Sequence, residues 1–226
     1  MVGALDGDRS QARGCLVVFE GIDGAGSTTQ LTLLAGWLRQ QGVDLEVTRE
    51  PSGGPLGAVL RQVVDGRCDL DAFALALAFA ADRADHLGNR VNGVRALLDQ
   101  GRWVLCDRYV LSSLAYQRGE AIDWDWLREL NRHALEPDVT VLVDTSVPVA
   151  AERIARRSSR VERFHEQAEL ERTRANYRSL VDAGDVGLGR LIVVGGDEDA
   201  DSVFGELLAQ FAPWFEAVAG APGGAG

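Results

Sequence analysis

The chain has 226 residues, 46% apolar and 25% charged, the make-up of one soluble globular domain rather than of a collagen-like, low-complexity or disordered chain. It carries 34 acidic against 23 basic residues, and a net charge of -11 argues against sequence-independent binding to DNA or RNA. No apolar run approaches ~18 residues, so no membrane-spanning helix is expected, and residues 1–13 lack the apolar centre of a secretory signal.

Residues 1–13 and 220–226 read as mobile tails, which leaves one domain over 14–219. Residues 15–20 (CLVVFE) form an apolar run expected as a buried strand, and 28–41 continue as an amphipathic helix. Residues 43–48 read as a second strand. Pro51, Gly53, Gly54, Pro55 and Gly57 then predict a loop over 49–57, with a helix over 55–65. Residues 71–100 read as a long helical stretch broken near Gly88 or Gly93. Strands are expected at 103–106, 139–143 and 191–194, and helices at 149–157, 170–183 and 200–218. Short continuous apolar strands between helices imply an α/β fold, a parallel β-sheet core flanked by helices on both faces. Ligands of such sheets bind at the carboxyl ends of the strands.

The first strand runs into Gly21-Ile-Asp-Gly-Ala-Gly26-Ser27-Thr28. A strand, a glycine-rich loop and a helix in this order are the setting of a P-loop, where backbone N–H groups cradle phosphates at a helix N-terminus. Thr28 stands where a hydroxyl would ligate Mg²⁺. Ser27 stands where the motif has lysine, and all 23 basic residues of the chain are arginine. Either an arginine elsewhere supplies the missing charge, or the site binds nucleotide without turning it over. The three cysteines, Cys15, Cys68 and Cys106, are odd in number and lack zinc spacing, which fits a reducing cytoplasm.

With this loop in view, the chain resembles the thymidylate kinases over about residues 15–215. The resemblance rests on Phe19-Glu-Gly-Ile-Asp-Gly-Ala-Gly26, on Thr48-Arg-Glu-Pro-Ser-Gly-Gly-Pro-Leu-Gly57, on Phe79-Ala-Ala-Asp-Arg83, and on Asp107-Arg-Tyr-Val-Leu-Ser-Ser-Leu-Ala-Tyr-Gln117. It implies a P-loop kinase fold with a small arginine-rich lid at about 153–165. It also implies transfer of the ATP γ-phosphate to dTMP, with Mg²⁺ as cofactor and a homodimer as the assembly. The apolar stretch 72–81 (AFALALAFAA) suits such a dimer interface or one large core equally.

The resemblance assigns Gly21, Gly24, Ala25, Gly26, Ser27, Thr28 and Thr29 to ATP, and Thr28 and Asp107 to the metal. Asp107 ends an apolar strand and so emerges at the ligand edge; Asp144 does the same but reads better as the cap of the helix that follows. Arg108 and Arg83 carry guanidinium forks suited to phosphate oxygens and carbonyls. Phe79 reads either as core or as a ring stacked on thymine. Ser113, Tyr116 and Gln117 are expected along base and sugar, Arg49 and Glu50 near the acceptor phosphate, and Asp23 near the sugar 3′-hydroxyl.

The arginines of 153–163 read either as a solvated helix face or as lid cations that replace the absent lysine. Arg153, Arg157 and Arg160 are the catalytic candidates, with Arg156 in the neighbouring row and Glu162 beside the lid. The expected function is phosphorylation of dTMP to dTDP by Mg-ATP in the cytoplasm, with no nucleic-acid or membrane partner. The alternatives are a related nucleotide-binding protein with little turnover, or a kinase for another pyrimidine nucleotide.

Overall fold

The computed structural model describes residues 13–157, 163–184 and 187–219, and among these the side chains of 157, 163–166 and 219 are not described. The expected tails therefore lie, except for Arg13, outside the described residues, as do Arg160 and Glu162.

The elements run β1 (Leu16–Glu20), α1 (Ser27–Gln40), β2 (Leu45–Arg49), α2 (Pro55–Val64), α3 (Ala72–Gly88), α4 (Val94–Asp99) and β3 (Trp103–Asp107). They continue with α5 (Val110–Gln117), α6 (Trp124–Leu130), β4 (Val139–Asp144), α7 (Val147–Arg157), α8 (Arg163–Ala183), β5 (Arg190–Gly195) and α9 (Ala200–Ala219). The strands form one sheet in the order β2-β3-β1-β4-β5, with all four strand pairings parallel. This is the α/β architecture expected from the sequence.

The order puts β1 in the middle, and all five of its residues are buried. Successive side chains of a strand point to opposite faces. Val17 and Phe19 accordingly join the larger core cluster with Leu31, Leu34, Leu38, Val141 and Phe211. Leu16 and Val18 join a smaller one with Leu87, Val94, Leu98 and Val104. Burial on both sides is why residues 16–19 of β1 read as an unbroken apolar run.

An aromatic group closes the end of the sheet away from the strand carboxyl ends. Trp103 begins β3, and its ring meets Trp214 and Phe215 edge-on at 5.8 and 5.7 Å. Trp37 meets Phe215 at 5.2 Å. The remaining tryptophans lie on α6, where Trp126 meets Phe73 at 5.5 Å and Trp124 Nε1 donates to the Leu114 carbonyl at 3.2 Å.

The differences from the sequence reading have physical causes. Helices α5 and α6 were not anticipated. The first is eight residues long without a side-chain cap; the second is seven residues capped by Asp123, whose carboxylate accepts from Trp126 N–H at 2.8 Å. Strand β2 starts two residues later than expected, where Leu45 pairs with Trp103. Helix α3 does break at Gly88. Helix α8 begins seven residues earlier than expected, before the apolar periodicity starts. Asp144 does not cap α7: its carboxylate binds Arg174 at 2.7 Å and Arg178 at 2.7 Å, and so ties α8 to the end of β4.

Candidate active site

The glycine loop, residues 21–26, joins β1 to α1 at the carboxyl edge of the sheet. Gly24 has φ 80° and lies against α7, so an ideal Cβ there would stand 2.4 Å from the Ala150 carbonyl oxygen. Only glycine combines that backbone with that approach. Gly26, at φ 98°, is the N-cap of α1 and supplies no side-chain acceptor. The first-turn N–H groups of α1 therefore meet no capping side chain and no acidic residue, which is the state of an anion-binding helix end. The Ala25 carbonyl is pinned from behind by Thr145 Oγ1 at 3.0 Å and Arg153 Nη1 at 3.1 Å.

Ser27 and Thr28 open α1 beside the end of β3. Thr28 Oγ1 donates to Asp107 Oδ2 at 2.5 Å and Ser27 Oγ to Asp107 Oδ1 at 3.3 Å. Two hydroxyls and a carboxylate thus converge beside the loop. Thr29 and Gln30 face a cavity of ≈ 260 Å³ bounded by Gly26, Arg153, Gly196, Asp199 and Val203. Arg153 is fixed in its wall, donating also to the carbonyls of Gly196 at 2.8 Å and Glu198 at 2.9 Å. A larger cavity, ≈ 600 Å³, lies outside β2 against His86, Asn89 and Arg102, and takes in none of the glycine loop.

Across the loop stands Arg108, the one non-glycine residue of positive φ (69°) among those described. Its backbone N–H donates to the Phe19 carbonyl at 2.8 Å. Its guanidinium pairs with Asp23, donates to the Gly21 carbonyl at 3.2 Å, and lies 4.9 Å from the centre of the Tyr116 ring. Tyr116 Oη in turn accepts from the Asp23 N–H at 2.8 Å. Asp23, Arg108 and Tyr116 are thus brought together as one unit, and Asp23 remains exposed.

The second loop and α3 form a buried charge network. Arg83, 3% exposed, pairs with Glu50 at 2.6 Å and also donates to Asn131 Oδ1, to the Tyr109 carbonyl at 3.0 Å and to Ser113 Oγ at 3.0 Å. Glu50 also meets His86 Nδ1 at 3.2 Å. Asp82 accepts from Ser52 N–H at 2.7 Å and Ser52 Oγ at 2.6 Å. Arg83, Glu50 and Ser113 come together, but their polar groups are largely spent on one another. Phe79 sits half-buried one turn before Arg83, Arg49 is exposed, and Gln117 Oε1 is buried without a hydrogen-bond partner.

Two acids at neighbouring strand ends titrate in opposite senses. Burial pushes the Glu20 carboxyl above 4.5, although Ser112 and Tyr177 donate to it. Burial also acts to raise Asp144, but the bonds and charges of Arg174 and Arg178 prevail and hold it below 3.8.

The lid candidates separate. Arg153 is a fixed tether. Arg156 is exposed and pairs with Glu152 at 2.6 Å, four residues back along the helix. Arg157 ends α7 with its side chain undescribed. The sequence reading missed Tyr177, Asn131, Asp82 and His86, none of which carries a local signal. It also passed over Glu20, whose charge at the end of an apolar strand was visible.

An open helix end facing a hydroxyl–carboxylate cluster, with a guanidinium across the cleft, belongs to the nucleotide-binding kinases of the α/β class. Residues 19–188 match the family model described as thymidylate kinase. The thymidylate kinase of Thermomicrobium roseum is 45% identical over 170 residues, 72% of this chain and 79% of that protein. The probable thymidylate kinase of Thermococcus kodakarensis is 37% identical over 202 residues, 85% of this chain and 95% of that protein. The chain belongs to the thymidylate kinase family.

Proposed function

We propose that the protein transfers the γ-phosphate of ATP to the 5′-phosphate of dTMP, giving dTDP and ADP. Family membership supports the reaction, and the open N-terminus of α1 beside Asp107 is the observation that carries its placement. Backbone N–H groups of residues 24–28 would hold the donor β-phosphate, with Gly21 shaping the turn. The oxygen set of Thr28 and Asp107 suits a hard divalent cation, and these two residues would hold Mg²⁺. When bound, that ion supplies neutralising charge on the donor phosphates. Arg108 orients the acceptor phosphate, which is already anionic and needs no strong base. Asp23 faces the sugar, and Phe79, Tyr116 and Gln117 line the base and sugar, with Arg49 at the rim.

Ser27 leaves the loop without its usual cation. Arg153 lies nearest on the donor side, its Nη1 3.8 Å from an ideal Cβ on Gly26. It supplies fixed positive charge beside the loop, and Arg157 and Arg160, whose side chains lie outside the described residues, are the other proposed sources of charge. A coupled ADP-release assay with Mg-ATP and dTMP, run beside Ser27→Lys, tests the reading. Turnover by the wild type is expected. Turnover confined to the lysine variant would mean a nucleotide-binding protein instead.

The assembly proposed is a homodimer through α2 and α3. Leu56, Val59 and Val64 on α2 and Phe73 and Leu77 on α3 are all exposed large apolar residues on two helices packed together. Sedimentation should give a dimer, and Leu77→Asp a monomer. No helix among the described residues is long and apolar enough to cross a membrane.

A further inference from the structure

Glu20 is wholly buried at the end of the central strand, and none of its hydrogen-bond partners is a cation. Each of its oxygens is engaged. Oε1 accepts the Tyr109 N–H at 2.9 Å; Oε2 accepts Ser112 Oγ at 2.5 Å and Tyr177 Oη at 3.0 Å. Burying a carboxylate without a paired cation is costly, so the arrangement calls for an explanation beyond packing.

All three partners lead to the acceptor side. Tyr109 directly follows Arg108, whose left-handed backbone (φ 69°) is strained and must be held by its surroundings. Two bonds flank that residue: its own N–H to the Phe19 carbonyl, and the next N–H to Glu20. Ser112 Oγ lies 3.5 Å from Arg108 Nη1. Tyr177 belongs to α8, has its hydroxyl oxygen 2.8 Å from Ser112 Oγ, and presents its ring edge-on to Tyr116 at 6.3 Å. Tyr116 is the ring under the Arg108 guanidinium.

We propose that Glu20 is a positioning residue for the acceptor nucleotide, fixing the Arg108 turn and the Tyr116 wall through Tyr109, Ser112 and Tyr177. It acts on the acceptor monophosphate and leaves the donor side alone, because among the described residues none of its three partners hydrogen-bonds residues 24–30 or Arg153. This rests on the kinase reading above. The carboxylate is required because it accepts from three donors, whereas the single oxygen of a glutamine cannot accept them all.

The test begins with wild-type turnover of dTMP, whose absence would defeat the kinase reading and not this one. With turnover in hand, Glu20→Gln is expected to raise the KM for dTMP about tenfold, the loss of one charge-assisted bond. The KM for ATP should stay within about twofold, since only uniform donor binding would move it. Calorimetric binding of dTMP should weaken by the same factor as its KM. Arg108→Lys should weaken dTMP further, and the double variant should add little to Arg108→Lys alone, because the two act through one group. Tyr177→Phe, which removes one hydroxyl without opening a large cavity, should raise the dTMP KM by about threefold and serves if Glu20→Gln does not fold. Unchanged dTMP binding in the folded Glu20→Gln or in Tyr177→Phe, equal losses for both nucleotides, or strict additivity with Arg108→Lys would each overturn the proposal.

Discussion

The two halves of the sheet's carboxyl edge are built on opposite principles. On the half proposed for the acceptor, Glu20, Glu50, Asp82 and Arg83 are all 5% exposed or less, and their polar atoms are satisfied by protein partners. On the half proposed for the donor, backbone dominates: the uncapped start of α1, a loop allowed by glycine, and carbonyls held by Arg153, with the Ser27, Thr28 and Asp107 side chains beside them. A prebuilt wall of bonded charges fixes the geometry before a ligand arrives. An open helix end keeps its donors for the ligand.

The sharpest way to break this contrast is Arg83→Met. It leaves Glu50 buried without its cation, and loss of one partner of such a pair costs about 3–5 kcal/mol, readable as a fall in the urea midpoint. Next comes Gly24→Ala, on the donor half. Its φ of 80° and the 2.4 Å approach to Ala150 force a shift of α7 or the loop. The expected cost is about 1–3 kcal/mol, with ATP binding lost before dTMP binding, as competition calorimetry would show. Arg156→Ala should change stability by no more than about 0.5 kcal/mol, since its pair with Glu152 is exposed. A loss of more than twice that would mean α7 is held by its surface charges.

Acid titration sharpens the contrast in sign. The Glu20 carboxyl is raised above 4.5 in the folded protein, so it favours folding most below that pH and progressively less as pH rises through its folded value. Asp144 is held below 3.8, so its contribution is present above that pH and lost as pH falls through its folded value. Between wild type and Glu20→Gln, the stability difference should therefore change with pH above 4.5. Between wild type and Asp144→Asn it should change below 3.8, in the opposite direction. A thermal-melt series over acid pH reads both.

Strands β1, β3 and β4 were legible because burial on two faces leaves nearly continuous apolar runs, as in residues 16–19 and 141–143. The glycine loop was legible because its backbone demands are local. Helices α5 and α6 escaped because seven or eight residues give too little periodicity to separate a helix from a loop. The charge network escaped for a different reason. Arg83 meets Asn131 across 48 residues, and Glu20 meets Tyr177 across 157, and no local pattern encodes such partners. Asp144 shows the same limit from the other side: a residue well placed to cap the next helix is claimed by two arginines thirty or more positions away.

The five tryptophans fall into two sets with separate optical duties. Trp37, Trp103 and Trp214 sit at the end of the sheet away from Asp107, among Phe211 and Phe215. Their emission should follow the melting of the α1–α9 face and ignore nucleotides. Trp124 and Trp126 ride on α6, in touch with Leu114 of α5 and Phe73 of α3. Replacing the distant three with phenylalanine would leave a chain whose remaining fluorescence reports on α6 and its contacts with α5 and α3, with no added label. That is useful in a protein whose lack of lysine denies amine-reactive dyes any side chain to attach to.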